Sequence, residues 1–401
     1  MSDFDVAIVG ASFAGLACAT VLANAGRRVL VLERKGDAGE KLHTTGLLVK
    51  EAVEGSGALE DPIPLEGTQI PEGFRILEGL PASLTRRLEG VRLHAPNLQY
   101  IDLDAPGYYF LATDTSGLLR WMAARAVNAG VEIHWRTAFE HAGRLEKGFT
   151  LGRLGRAHFL VGADGPTSRV ARAFGLGVNR EFLFGIEHEY GDGHDYAANV
   201  SGGDGRHGVV NRQHGLTDRL HCFIDRKIAP GYLGWVFAGV GSVQVGIARR
   251  ERGGAAREAK AAMAVFLEKI APVFDFRSAT PASVRAGWIP CGGVVRRVHA
   301  DRVLLIGDAA GTVSPLTAGG IHTALRHGAA AGVAIDAFLA GRTSDPGALV
   351  AAGYPRFRGK RLLRRAFDAF QHDGLANLLL GTRVVRDAAS RIYFHRGSRA
   401  L

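Results

Sequence analysis

Phe4-Asp-Val-Ala-Ile-Val-Gly10-Ala-Ser12-Phe13-Ala14-Gly15 begins with an apolar, β-branched run of strand length and passes through a turn of small residues. Residues 13–25 then read as an alanine-rich apolar helix. The turn keeps the first and last glycines of the dinucleotide fingerprint and carries serine at the middle one. Gly10 permits the tight turn, and Gly15 lets helix and strand pack closely. The helix N-terminus, with Phe13 and Ala14 in its first turn, offers free N–H groups and a partial positive charge to a pyrophosphate. Ser12 is small enough for the backbone to approach a phosphate, and its hydroxyl is a donor. A second strand, Arg28-Val-Leu-Val-Leu-Glu33, ends in a carboxylate eighteen residues after Gly15. That spacing suits hydrogen bonds from an adenosine ribose, with Arg34 beside it. The run Gly10–Ala14 is not a nucleophile elbow, because its fifth position is alanine and it opens the chain.

The choice of dinucleotide rests on a distant segment, Arg302-Val-Leu-Leu-Ile-Gly307-Asp308-Ala-Ala-Gly311-Thr-Val-Ser-Pro315-Leu-Thr-Ala-Gly319-Gly320-Ile321. A buried strand delivers Asp308 into a glycine-rich turn, where its carboxylate can accept hydrogen bonds from a ribityl hydroxyl. Gly319 and Gly320 leave the first N–H groups of the helix starting at Ile321 open to an anion. A flavin ring that gains electron density at N1 and O2 suits that helix end, so the expected cofactor is FAD. A third strand-turn, Phe159-Leu-Val-Gly162-Ala163-Asp164-Gly165-Pro166, is by itself only a turn signal.

Length and composition set the frame. The 401 residues, 47% of them apolar, are enough for two lobes and a tail. Fifty-four glycines without periodicity fit turns and close cofactor approach rather than a fibrous repeat. Cys18, Cys222 and Cys291 form no CxxC pair. The acidic start and the lack of an apolar run long enough to span a bilayer lead to the expectation of a soluble, cytoplasmic protein. The formal charge of +10 is uneven: residues 351–401 hold eleven basic side chains against three acidic ones. Leu363, Phe367 and Phe370 share one helical face flanked by Arg361, Arg364 and Arg365. That pattern fits either a helix packed on the domain or an interfacial helix drawn to anionic lipid. No nucleic-acid module is recognisable. The histidines around His188 and His194-Asp195 read as a polar loop rather than a metal site. Gly239-Val-Gly241 sits in a strand-like run, so no second dinucleotide domain is expected.

Taken together and in this order, the fingerprint, the Gly162–Gly165 turn and the Gly307-Asp308 segment resemble the flavoprotein superfamily of aromatic hydroxylases, flavin halogenases and geranylgeranyl reductases. Gly307-Asp-Ala-Ala-Gly311 with Pro315–Ile321 resembles the geranylgeranyl reductases, since aromatic hydroxylases usually have histidine where Gly311 stands. Ala229-Pro-Gly-Tyr232-Leu-Gly-Trp235-Val-Phe237 is similar to their aromatic segment, with Leu233 at the tyrosine position and Ala238 replacing a proline. Lys41-Leu-His43-Thr44-Thr45-Gly46 stands where they have a turn beside the flavin, with threonines in place of the cysteine. Arg120 stands one helical turn beyond the position of a usual arginine.

The resemblance implies an α/β fold. It has a discontinuous, Rossmann-like FAD-binding domain (1–70, 100–175 and 285–345), a mostly antiparallel substrate domain (71–99 and 176–284) and a basic helical C-terminal region (346–401). It implies cofactor contacts at Gly10, Ser12, Phe13, Ala14, Gly15, Glu33, Arg34, Thr44, Thr45, Gly46, Arg120, Asp164, Asp308, Gly319, Gly320 and Ile321. Substrate contacts fall at Tyr232, Trp235 and Phe237, which read equally well as inner-face core residues of a sheet. The implied activity is reduction of C=C bonds in an isoprenoid or other lipophilic substrate, with NAD(P)H or another electron donor docking transiently. Hydroxylation of an aromatic or polyketide substrate by a flavin monooxygenase is the alternative. The proton donor stays open among solvent, Tyr232 and His43.

Overall fold

A computed structural model describes residues 3–54, 76–191, 218–250 and 255–394. Asp3–Val9 lies at the centre of a parallel sheet, and its Val6, Ala7 and Ile8 are buried on both faces, as a strand covered on both sides requires. Val29–Leu32 and then Glu132–His134 lie to one side; Arg156–Gly162 and then Val303–Leu305 lie to the other, all parallel. The chain leaves Asp3–Val9 in one direction and returns in the other, so a switch point opens at the carboxyl ends of Asp3–Val9 and Arg156–Gly162. Ligands of open α/β sheets bind at such a point. The helices Phe13–Asn24 and Ile321–Leu339 pack on each other closely because glycines meet backbone: a Cβ on Gly328 would stand 2.3 Å from the Ala14 carbonyl oxygen.

A second sheet has seven strands in the order Ser283–Pro290, Phe182–Gly191, Ser242–Arg250, Gly234–Ala238, Arg219–Phe223, Gly90–His94 and Tyr100–Asp104. Every pairing is antiparallel except Arg219–Phe223 with Gly90–His94. The sheet crosses the expected limits at 99/100 and 284/285. Tyr100–Asp104 is the hairpin partner of Gly90–His94, and Ser283–Pro290 is one edge along its whole length. Gly239–Gly241 is not within a strand but closes the hairpin between Gly234–Ala238 and Ser242–Arg250, with Gly241 at φ +62°.

Alternation divides this sheet into two faces. Val236, Val245 and Ile247 pack against Met263 and Phe266 of the helix Ala255–Ile270. Cys222, Trp235 and Phe237 point the other way, toward Phe110 of a small three-stranded sheet (Leu47–Val49, Phe110–Thr113, Thr85–Leu88). Leu380, Ala389 and Phe394, from the C-terminal helices Asp373–Leu379 and Arg383–Tyr393 and the residues after them, close the same core. The basic region is thus built into the fold. In the helix Arg358–Phe370, Arg364 is not the solvated flanking residue that either reading of this helix expects: it is buried, and its guanidinium donates to Asp368 Oδ2 (3.2 Å) and to the Pro315 carbonyl (3.4 Å). Among the described residues no helix is long and apolar enough to cross a membrane.

Candidate functional site

Backbone hydrogen bonds across the parallel sheet lay the three turns side by side. Gly10 donates to Leu32 O (2.8 Å), Ala163 to Val9 O (2.8 Å) and Ile306 to Gly162 O (2.9 Å). The crevice at the switch point is therefore walled by the fingerprint, by Ala163-Asp164 and by Gly307-Asp308. Gly10 has φ +107°, and a Cβ there would lie 2.4 Å from Ala163 O. A Cβ on Gly15 would lie 2.0 Å from Gly10 O, so this cradle exists only because both side chains are missing.

Ser12 caps the helix: its Oγ accepts from Gly15 N–H (3.3 Å) and donates to Ala163 O (3.0 Å). The hydroxyl thus ties the fingerprint to the Asp164 turn. Phe13 and Ala14 are buried in the first helical turn, Ala14 against Gly307. Glu33 is buried at the rim, its two oxygens accepting from Ala11 N–H and Lys35 N–H, each at 2.9 Å. Arg34 beside it is exposed. Arg120 pairs with Asp37 at 3.0 Å, on the segment that follows Glu33. Asp164 Oδ2 accepts from Arg169 N–H (2.6 Å) and Val170 N–H (3.2 Å), while its Oδ1 is buried and has no partner among the described residues.

Asp308 sits in a tight turn, Gly307–Ala310, and faces Gly320: a Cβ there would stand 3.6 Å from Asp308 Oδ1. No side chain caps the helix at Gly320, so its positive end opens beside the aspartate; Gly319 is exposed and Ile321 is the first helical residue. Burial pushes the Asp308 carboxyl up to about 6. The turn His43–Gly46, which leads into the strand Leu47–Val49, is pinned by Thr113, whose Oγ1 donates to Gly46 O (2.7 Å); Thr44 and Thr45 are half-buried. Gly46 has φ +73°, and a Cβ would strike Thr115 Oγ1. Thr113 and Thr115 are not among the residues the sequence points to, since a threonine in an ordinary strand-to-helix turn carries no motif of its own.

Facing this turn is the aromatic side of the seven-stranded sheet. Tyr232 donates its hydroxyl to Thr317 O (2.5 Å), bracing the loop that leads to Gly319. The Trp235 indole lies over Gly246 and donates from Nε1 to Glu187 Oε2 (2.9 Å); Phe237 is buried beside Gln244. Arg285 joins the group, with Nη2 on Glu189 Oε1 (2.7 Å) and Nη1 on the Thr44 carbonyl (3.3 Å). Glu187, Glu189 and Arg285 were missed in the sequence. The available signal was two carboxylates two residues apart, Glu187 and Glu189, on one face of the strand Phe182–Gly191, which opens with the apolar run Phe182–Ile186. Among the described residues no three metal-binding side chains converge; His194 and Asp195 lie outside those residues.

The side-chain-free cradle, the carboxylates of Glu33 and Asp308 and the uncapped helix end fit FAD. Asp308→Asn is expected to weaken FAD binding about 10- to 100-fold, the worth of a charge-assisted hydrogen bond, as read by flavin release on dilution. The flavin-free chain should respond in the opposite sense. A carboxyl raised on folding loses stability as pH climbs from its unfolded value to its folded one, here from 3.8 to about 6. Thermal melts of the apoprotein should show that loss shrinking in the asparagine variant.

The FAD binding domain family matches residues 3–184 and 277–366. Digeranylgeranylglycerophospholipid reductase 2 of Methanopyrus kandleri is 31% identical over 344 residues, 82% of this chain and 76% of the relative. Reductase 1 of the same organism is 31% identical over 355 residues, 85% and 83% of the two chains. A geranylgeranyl bacteriochlorophyll reductase-like protein from Thermoplasma acidophilum has the same fold, with TM-score 0.72 at 18% identity over 98% of this chain and 97% of that one.

Proposed function

The chain belongs to the flavoprotein family defined by this FAD binding domain, in the branch of the digeranylgeranylglycerophospholipid reductases, and from that premise we propose that it reduces C=C bonds of an isoprenoid lipid. The observation that carries the proposal is the kinship with those reductases joined to an apolar cluster, Leu47, Val49, Phe110, Trp235, Phe237 and Phe394, that packs between the small three-stranded sheet and the aromatic face of the seven-stranded one. An isoprenoid chain would be held there by burial, at roughly 25 cal/mol per Å².

Bound and reduced FAD supplies a hydride. In this reading Gly10, Ser12 and Gly15 admit the pyrophosphate at the start of the helix Phe13–Asn24, and Asp164 lines the adjoining turn. Glu33 takes the adenosine ribose, with Arg34 and Arg120 at the adenine rim. Asp308 takes the ribityl chain. Gly319, Gly320 and Ile321, at the positive helix end, would hold the flavin ring together with Thr44, Thr45 and Gly46. The parallel sheet forms the FAD-binding unit, and the aromatic face of the seven-stranded sheet forms the substrate wall. NAD(P)H or another donor acts as the transient reductant.

Incubating the reduced holoenzyme with digeranylgeranylglycerophospholipid should give products heavier by pairs of hydrogens in mass spectra. A gain of one oxygen under air would instead establish the monooxygenase alternative.

A substrate of this class resides in membranes, and we propose that the C-terminal helices rest on an anionic bilayer. Leu362, Leu363, Leu375 and Leu378 are 69%, 54%, 52% and 75% exposed, and Arg358, Arg361, Arg365, Arg383 and Arg386 are exposed on the same run of C-terminal helices. Aliphatic side chains that enter the headgroup boundary amid basic residues are the pattern of an interfacial surface. Deleting this region would remove Leu380 and Phe394 from the core, so the test places acidic side chains on the exposed apolar face. Leu362→Asp with Leu378→Asp should abolish flotation with phosphatidylserine vesicles while leaving the melting temperature unchanged; flotation equal to the parent would end the idea.

A further inference from the structure

Alkene reduction needs a proton as well as a hydride, and the side chains left open as donors are committed elsewhere. Tyr232 gives its hydroxyl proton to the Thr317 carbonyl, and burial drives its ionisation far above the ordinary tyrosine range. His43 is exposed, with Nδ1 2.7 Å from Ala286 O. The aromatic face of the sheet carries a different acid. Glu187 is 4% exposed, lies two strands from Trp235 across Gly246, and accepts the indole N–H on Oε2. Its other oxygen, Oε1, is buried and makes no hydrogen bond among the described residues. A buried carboxyl oxygen without a hydrogen bond is costly, and a catalytic role is one physical reason for keeping it.

We propose that Glu187 is the acid of the reduction, its carboxyl delivering a proton to the alkene carbon that does not receive the hydride. This rests on the alkene-reductase reading. The balance closes: a hydride from the reduced cofactor and a proton from the carboxyl form two C–H bonds, the π bond is lost, and the cofactor is oxidised by two electrons. The carboxylate left behind is reprotonated from water.

The surroundings suit both states. Burial raises the Glu187 carboxyl to about 7, against the smaller opposing pull of the Trp235 N–H and of Arg285, so it holds a proton near neutral pH. Arg285 Nη1 stands 3.8 Å from Oε1 and attracts the carboxylate once the proton has left. The other groups on that face are Glu189, already bound to Arg285 and Ser283, and the neutral Gln244. His188 is on the opposite face of the strand, its Nδ1 3.1 Å from the Tyr190 hydroxyl. Through Arg285 and the Thr44 carbonyl the acid is joined to the turn beside the flavin.

Glu187→Gln keeps an acceptor for the indole and loses the proton, which makes it the deciding variant. Bleaching of the holoenzyme by NAD(P)H or dithionite should be unchanged, while reoxidation by digeranylgeranylglycerophospholipid should slow by about 100-fold or more, the range of general acid catalysis. A second readout needs no turnover. The fluorescence of the flavin-free chain should titrate near pH 7 through Trp235, and the titration should vanish in both Glu187→Gln and Trp235→Phe. Reoxidation at the parental rate in Glu187→Gln would overturn the assignment, as would a fluorescence titration that persists in that variant. If the parent chain reduces no alkene although its flavin bleaches, the functional reading fails, and the catalytic role of Glu187 falls with it whatever the titration shows.

Discussion

Gly10→Val is expected to yield a chain that purifies without flavin colour. Two independent costs coincide at this position. Its φ of +107° is one that L side chains rarely adopt, worth about 1–3 kcal/mol of strain. The new Cβ would also lie 2.4 Å from the Ala163 carbonyl oxygen. That carbonyl cannot withdraw easily, since Ala163 N–H is held by Val9 O and Ser12 Oγ donates to the carbonyl itself. Relief must come from opening the switch point, which moves the first helix away from Asp164 and spreads the pyrophosphate cradle. Gly26→Ala is the matched control. Gly26 has φ +78° but nothing within 4 Å of its Cβ position, so only the backbone penalty applies and the flavin should stay bound. Flavin absorbance per chain measures both; a yellow Gly10→Val protein at full occupancy would refute this account of the crevice.

Gly246→Val should separate the other half of the site from the first. A Cβ at Gly246 would stand 2.3 Å from the Trp235 ring, so the indole has to leave its place across the strand. Overpacking of this kind costs about 1–3 kcal/mol, and depriving Glu187 of its indole donor adds a buried unpaired carboxyl at a similar cost. FAD content should be that of the parent, because the crevice is built on the other sheet. Lipid reduction should fall by about 100-fold or more, the penalty for displacing a positioning group by an ångström. Equal loss of flavin would mean that the two sheets do not divide the work as proposed.

The local features were legible before any coordinates. The strand, turn and helix at Phe4–Ala25, the strand ending at Glu33 and the aspartate turn at Asp308 each span a few residues, and their periodicity and glycines specify them without help from the rest of the chain. With Asp308, the expectation of FAD followed from the same kind of local chemistry.

What remained undecided depended on contacts between residues far apart in the chain. The fingerprint, Asp164 and Asp308 become one crevice only through the parallel pairing of three strands. Gly311, noticed as an absent histidine, has a steric reason that only packing reveals: its φ is +73°, and a Cβ would lie 2.4 Å from Gly293 O. Arg364 looked like a solvated flank until the fold placed Pro315 and Asp368 against it. Strand alternation allowed Trp235 and Phe237 either face; pairing with Gly246 and Gln244 put them opposite the helix Ala255–Ile270 and beside Glu187. Dihedral preference and periodicity act over a few residues and so belong to the sequence, whereas register, burial and the raised acidity of a carboxyl arise only when distant segments exclude water together.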